Sequence, residues 1–169
     1  TDPMEDTTKK VKALEAINGA TILDTATGLG YTAIEAAKKA NQVITVEIDP
    51  SALEIARLNP WSKELFNSPK IIQVIGNILE EVKKFKQEQF THIIHDPPTF
   101  KIAGELYSGQ LYKDFYKILR KNGKLFHYIG NPSSKHGSTI TKGVIKRLQE
   151  AGFTRIEKRP ETFGLIAHK

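Results

Sequence analysis

Ile22-Leu23-Asp24-Thr25-Ala26-Thr27-Gly28-Leu29-Gly30-Tyr31-Thr32 decides the fold of this 169-residue chain. Apolar residues lead into an acid, the acid into a turn holding two glycines, and the turn into a helix-forming segment. Glycine lacks the side chain that would block a tight strand-to-helix turn or the close approach of a ligand to the backbone. The arrangement of an apolar run closed by an acid recurs twice: Val43-Ile44-Thr45-Val46-Glu47-Ile48-Asp49-Pro50 reaches Glu47, and residues 91–95 run into Asp96-Pro97-Pro98. Ligands of parallel α/β sheets collect at the carboxyl ends of the strands, so these acids are expected at one edge.

Hydrophobic periodicity extends the reading in both directions. Val11, Leu14 and Ile17 predict a leading amphipathic helix stopped by Asn18-Gly19. A strand begins at Ile22, a helix covers 31–39, a strand covers 43–46, and Asp49-Pro50 caps a helix that reaches Leu58. Residues 71–75 and 91–95 read as continuous apolar strands buried on both faces. Leu111, Phe115, Ile118 and Leu119 predict a helix, residues 124–129 a strand, and Ile140, Val144, Ile145 and Leu148 another helix. Residues 153–158 and 163–167, parted by Arg159-Pro160-Glu161, read as a closing hairpin, which makes the final strand antiparallel. The expected class is α/β: a doubly wound, Rossmann-like sheet, parallel apart from its final strand, with helices on both faces. One domain over 1–169 is expected, and a start at Thr1-Asp2-Pro3 instead of Met marks it as a candidate fragment of a longer chain.

Composition narrows the function classes. No apolar stretch nears the roughly 18 residues of a spanning helix and no signal-peptide pattern opens the chain, so a cytoplasmic protein without a membrane partner is expected. Without Cys there is no disulfide, no thiolate nucleophile and no thiolate metal ligand, and no His/Asp spacing suits a metal. The net charge of +6 is uneven, for residues 1–60 hold six Lys and Arg against nine Asp and Glu, whereas residues 120–169 hold eleven against three. An acidic cofactor half beside a basic half points to a phosphate-bearing partner, with RNA (ribosomal or transfer RNA) expected and Lys135, Lys142, Lys146 and Arg147 as phosphate contacts. A Lys-rich solvated face explains the same counts, five Arg against twenty Lys. Oligomeric state is not legible.

Gly28, Gly30 and Ala33 also fit the Gly-x-Gly-x-x-Ala dinucleotide fingerprint. Asp24 argues against it, because a carboxylate at the strand end would face a doubly charged pyrophosphate. S-adenosylmethionine has no phosphate, and its sulfonium and amino group favour a nearby acid. The segment from Ile22 to Ala37, the segment from Val43 to Pro50 and His95-Asp96-Pro97-Pro98 resemble motifs one, two and four of class I S-adenosylmethionine-dependent methyltransferases, over nearly the whole chain. Together with Leu58-Asn59-Pro60-Trp61-Ser62, Gly104-Glu105-Leu106-Tyr107-Ser108 and Phe126-His127-Tyr128, the first of these motifs is similar to a family of predicted archaeal methyltransferases.

The resemblance implies roles for individual residues. Asp24 and the backbone of Ala26, Gly28 and Gly30 are expected to hold the methionine moiety, Glu47 the ribose hydroxyls, and Ile48 the adenine face. Asn77 stands where many members have an Asp that accepts the adenine amino group, and it reads equally as a helix N-cap. Asp96-Pro97-Pro98-Thr99-Phe100 resembles the Asp-Pro-Pro-aromatic motif of enzymes that methylate exocyclic base amines, with the aromatic one step late at Phe100. An exocyclic amine has its lone pair drawn into the ring, and two fixed acceptors, the Asp96 carboxylate and the Pro97 carbonyl, would draw it toward tetrahedral geometry. Pro98 stiffens the loop and Phe100 would stack on the base. The same motif form is found in ribosomal RNA methyltransferases that modify other atoms. Thr99, Glu105, Tyr107, His127 and Asn131 are the expected substrate contacts, with His95 and Tyr128 at the same edge and Gly104 to Ser108 as a lid. Trp61 and Phe66 are expected to pack in the core.

Overall fold

Alternation of apolar side chains along the strands determines which helices cover which face. The structure, a computed structural model, describes residues 2–131, 133–134 and 136–169; Lys135 lies outside the described residues. In chain order the elements are α1 (Pro3–Ala13), β1 (Thr21–Asp24), α2 (Tyr31–Ala37), β2 (Gln42–Glu47), α3 (Pro50–Leu58), α4 (Lys63–Asn67), β3 (Ile71–Ile75), α5 (Ile78–Glu81), β4 (Phe90–His95), α6 (Gly109–Ile118), β5 (Leu119–Tyr128), α7 (Gly137–Ala151), β6 (Ile156–Arg159) and β7 (Gly164–His168). The strands form one sheet in the order β3-β2-β1-β4-β5-β7-β6. β1 to β5 run parallel, and β7 runs antiparallel to both β5 and β6.

Odd and even strand positions feed two separate cores. Ile22, Val43, Ile94, Phe126 and Ile166 pack with Val11 of α1 and Leu14 just after it, Ala33 and Ala36 of α2, Leu53 of α3 and Leu65 of α4. Their neighbours Leu23, Ile44, Ile93, Leu125 and Leu165 pack on the other face with Leu111 and Phe115 of α6 and Val144 and Leu148 of α7. This is the doubly wound sheet expected from the sequence, with its sole crossover reversal beside β1, where β2 lies on one side and β4 on the other. No helix among the described residues is long and apolar enough to cross a membrane.

Four local expectations are corrected. α1 ends at Ala13 and Glu15 takes a left-handed conformation, so Ile17 leaves the helix and is 64% exposed. β3 is an edge strand, and its Ile72 and Ile75 are exposed rather than buried on both faces. Leu119 does not belong to α6: its backbone is extended, and it pairs with Phe90 before a bulge that brings His92 opposite Lys124. Trp61 is 72% exposed, whereas Phe66 packs against the α1–α4 core beneath the Arg57 guanidinium.

The turn after β1 depends on both of its glycines, for different reasons. Gly30, at φ +81°, caps α2, and a Cβ there would lie 2.6 Å from the buried Leu65 side chain. Gly28, at φ +52°, has open space around the same position. Gly30→Ala should therefore destabilise the fold by about 2–4 kcal/mol, from backbone strain plus overpacking, and Gly28→Ala by about 1–2 kcal/mol from strain alone. Urea unfolding of the two variants measures the difference, and equal losses would contradict this account of the turn.

Candidate active site

Parallel pairing sets Asp24 beside Thr45 of β2 and Ile94 of β4, so the carboxyl ends of the three strands open on one side. A cleft of about 590 Å³ lies there, a size suited to a small cofactor with part of a substrate. Of the cofactor residues expected from the sequence, Ala26, Gly28, Glu47, Ile48 and Asn77 line it. Of the reaction residues, Asp96, Pro97, Pro98 and Glu105 line the same cleft.

Glu47 holds the floor of this cleft. Its carboxylate accepts the Gly28 amide at 2.8 Å on one oxygen and the Asp49 amide at 2.9 Å on the other. Both oxygens keep a free lone-pair direction for a ligand. Asn77 uses its side-chain oxygen to accept the Leu79 amide at 3.0 Å, so the N-cap role expected as one alternative is present. Ile48 is 66% exposed and offers an apolar shelf.

Asp24 lies beneath the cleft rather than on its wall. Its side chain is fully buried, Oδ2 accepts the Thr45 hydroxyl at 2.8 Å, and Thr45 in turn meets Thr27 at 2.6 Å. Oδ1 has no hydrogen-bond partner, a costly condition for a buried carboxylate. Burial, with the nearby Asp96 and Glu47 carboxylates adding to it, pushes the Asp24 carboxyl up to about 7 against the pull of the Thr45 hydroxyl. Gly30 also stands behind the wall, as a packing residue against Leu65.

On the reaction side, Asp96 Oδ2 binds Lys10 Nζ at 2.7 Å. Lys10 is 7% exposed, reaches Asp6 at 2.8 Å as well, and lies over the Tyr128 ring. Burial pushes the Asp96 carboxyl above its ordinary value while Lys10 pulls it back. Pro98 is held through its carbonyl, which accepts the Tyr107 hydroxyl at 3.0 Å. No donor among the described residues binds the Pro97 carbonyl.

Several expected substrate contacts prove to be scaffolding. Tyr107 is 1% exposed and braces the Asp-Pro-Pro loop from below, where Phe100 meets it edge-on at 5.4 Å. His127 is fully buried: Nδ1 donates to the Tyr128 carbonyl and Nε2 accepts from the Tyr112 hydroxyl. His95 is likewise fixed, donating from Nε2 to the Leu106 carbonyl and accepting the Thr25 hydroxyl at Nδ1. Those partners dictate the tautomers. Burial depresses His95 to about 4 and holds His127 well below its ordinary value, so both rings are neutral near pH 7. Asn131 folds its own turn by accepting the Ser133 amide, and it does not line the cleft. Thr99 and Phe100 are exposed outside the wall, with the Thr99 carbonyl closing a turn onto Ile102 and Ala103. Arg147, expected on phosphate, donates to the Tyr107 carbonyl at 2.8 Å.

Sequence reasoning missed Lys10, Thr45, Asp49 and Thr25. Thr45 was legible as the one polar residue inside an apolar strand, and Lys10 as a charge on the Thr7, Val11, Leu14 stripe that faces the sheet.

The cleft at the switch point of this doubly wound sheet is lined by the carboxylates Glu47, Asp49, Asp96 and Glu105, which suits a cationic ligand. Residues 7–152 match the methyltransferase small domain family, and the chain belongs to it. An uncharacterized protein of Methanocaldococcus jannaschii is 44% identical over 169 residues, which take in 99% of this chain and 58% of that protein. The chain therefore spans less than two thirds of the length of this relative. A spermidine synthase in complex with the transition-state analogue AdoDATO has the same fold, with a TM-score of 0.83 at 23% identity, covering 99% of this chain and 61% of that one. A Listeria monocytogenes protein provisionally described as an S-adenosylmethionine-dependent methyltransferase aligns with a TM-score of 0.74 at 14% identity, covering 98% and 97%. At such identities these structures establish the fold alone.

The cofactor of the family is S-adenosylmethionine, and the residues present fit it. Glu47, Asp49, Asp96 and Glu105 line the cleft, and no Lys or Arg among the described residues does. That set repels a pyrophosphate and attracts a sulfonium and an ammonium. The unpartnered Asp24 oxygen lies under the same wall.

Asp24 gives the native state a characteristic pH dependence. Between an ordinary carboxylate value near 4 and the native value of about 7, the folded chain keeps a proton that the unfolded chain has released. Asp24 therefore contributes a part of the stability of the ligand-free protein that falls as pH rises through this window, by up to about 1.4 kcal/mol per pH unit, and levels off above it, set against the rise contributed by the depressed His92, His95 and His127. In denaturant unfolding from about pH 4.5 to 8, the stability of the wild type minus that of Asp24→Asn should fall with that slope, the histidine contribution being common to both proteins. The same slope in both proteins would contradict the assignment.

Proposed function

We propose that this domain transfers a methyl group from S-adenosylmethionine to an amino nitrogen, with an exocyclic base amine of RNA as the acceptor. One observation carries the reading: Asp96 and Pro97 line one cleft with the cofactor-side Glu47, and the Asp96 carboxylate and the Pro97 carbonyl each retain acceptor capacity. When bound, the cofactor supplies a methyl group made electrophilic by its sulfonium. Glu47 holds the ribose, and Ile48 packs on the adenine. The Ala26–Gly28 backbone would hold the methionine end, with the buried Asp24 carboxyl beneath it acting through charge. Asp96 and Pro97 accept hydrogen bonds from the two N–H groups of the amine and draw its lone pair out of conjugation; as nitrogen bonds the methyl carbon, the carbon's bond to sulfur would break, the cofactor leaving as a neutral thioether and the surplus N–H proton passing to solvent. Tyr107 keeps the loop rigid, so this acceptor pair is organised before the substrate arrives. Phe100, 42% exposed beside the cleft, supplies an aromatic face for the base.

RNA as the partner rests on the surplus of Lys and Arg after residue 120. Lys142 and Lys146 on α7 and Lys101 in the Asp-Pro-Pro loop are exposed. Lys124, Lys169 and Arg147 are engaged within the fold and contribute less. Glu105 favours a second reading, since a further carboxylate lining the same cleft as Asp96 would suit the cationic amine of a small molecule. Transfer from labelled cofactor to total RNA, protein extract or a small-molecule extract separates these readings. RNA binding should weaken with salt by a log-log slope of roughly 0.7 per phosphate contacted on a single strand.

Asp96→Ala should lower turnover by about a hundredfold or more while leaving cofactor affinity nearly unchanged. Asp96→Asn should retain partial activity, because its amide oxygen still accepts. Mass spectrometry of digested RNA should find the methyl group on an exocyclic nitrogen. A methylated ring nitrogen, carbon or ribose oxygen would contradict the amine assignment, and undiminished transfer by Asp96→Ala would contradict the role given to Asp96.

A further inference from the structure

Lysine is seldom buried without a partner, because its ammonium loses its water shell and its long side chain loses rotamer freedom. Lys10 is 7% exposed, and it projects from α1 onto the reaction loop, 86 residues away in sequence. Its Nζ lies 2.7 Å from Asp96 Oδ2 and 2.8 Å from Asp6 Oδ2, with the Tyr128 ring centroid 4.7 Å away. Two carboxylates and an aromatic face hold the ammonium from separate directions, so it cannot leave Asp96 without abandoning all three. Lys10 also consumes one defined oxygen of Asp96. The other, Oδ1, has no donor among the described residues, and Asp96 itself lines the cleft.

We propose that Lys10 is a positioning residue for methyl transfer, holding Asp96 ionised and turning its free oxygen toward the cleft, so that the site accepts an uncharged amine. The inference rests on the reading of Asp96 as the amine acceptor. The charged and titratable groups around Asp96 bear on it: Lys10 and Asp6 from α1, Asp24 from β1, Tyr107 from the turn below the loop, Tyr128 from β5, and the Glu47, Asp49 and Glu105 carboxylates that line the same cleft. Lys10 is the sole cation in that set. Removing it leaves a half-buried carboxylate among acids and phenols, and such a group gains a proton. A protonated Asp96 presents an O–H where the substrate N–H needs an acceptor, so the same change that neutralises the residue also reverses its hydrogen-bonding sense. The pairing has a consequence for selectivity. A carboxylate already matched by Lys10 has little to gain from an aliphatic ammonium, whereas it can still accept from a neutral amine.

The test compares the wild type with Lys10→Met and Lys10→Arg, each produced with carboxyl-13C aspartate, the Asp96 resonance being identified by its absence from Asp96→Asn. The titration midpoint of Asp96 should rise by more than one pH unit in Lys10→Met and return close to the wild-type value in Lys10→Arg. In parallel, the acid limb of the pH profile for transfer from labelled S-adenosylmethionine to total RNA should move upward with that midpoint and be restored by Arg. Retained cofactor affinity, measured by calorimetry, shows that Lys10→Met is folded. An unchanged Asp96 midpoint in folded Lys10→Met overturns the proposal, as does failure of Arg to restore it. Failure of the underlying reading registers separately, as undiminished transfer by Asp96→Ala, and the carboxyl titration then still decides whether Lys10 sets the ionisation of Asp96.

Discussion

The Glu47 carboxylate ties two turns into one site. By accepting the Gly28 amide and the Asp49 amide it fastens the loop that enters α2 to the loop that enters α3. Backbone donors aimed at a carboxylate make strong, directional contacts, and here they fix both the glycine turn and the oxygens that a ribose would meet. The sheet supplies the rest of the constraint: the parallel register of β1, β2 and β4 brings Asp24, Glu47 and Asp96 to the same edge however far apart they lie in the chain. Local chemistry at each strand end and global topology thus agree, which is the condition for a sequence to specify one structure.

Concentrating carboxylates in this way is electrostatically expensive, and the fold answers the expense differently at each acid. Glu47 is satisfied by amides. Asp96 is matched by Lys10, which Asp6 and Tyr128 hold in place. Asp24 has only a threonine on one oxygen, and burial raises its carboxyl toward neutrality. A cationic ligand above it would favour the ionised form that burial disfavours. The buried histidines belong to a different layer. His95, His127, Tyr107 and Tyr112 form an aromatic and hydrogen-bonded raft under the reaction loop, which sets its height without exchanging protons.

Much of this was legible in the sequence because strand ends announce themselves. Asp24, Glu47 and Asp96 each follow an apolar run, and the register that unites them follows from the alternation of strands and helices. The Asp49-Pro50 cap and the antiparallel closing strand were legible for the same local reasons. Edge position is not a local property, which is why β3 looked like a central strand although its Ile72 and Ile75 are exposed. Left-handed Glu15 lacks the glycine that usually signals a helix end, so Ile17 seemed to continue α1. Polar residues at strand ends are ambiguous without depth: His127 and Tyr107 sit one layer below the cleft, and Asn131 lies beyond it. Lys10 was legible only as a charge on the buried stripe of its helix, and its partner Asp96 was not, because the two lie 86 residues apart in sequence.

The central claim is that an acid-lined edge built around Glu47 receives S-adenosylmethionine. Calorimetric titration of the wild type and Glu47→Ala with S-adenosylmethionine, and of the wild type with NAD, tests it most directly. The account predicts saturable binding of S-adenosylmethionine, no comparable binding of NAD, and a loss in Glu47→Ala of at least about 1.5–3 kcal/mol, the worth of one charged hydrogen bond. Preferential binding of NAD, or equal affinity of S-adenosylmethionine for both proteins, would contradict it.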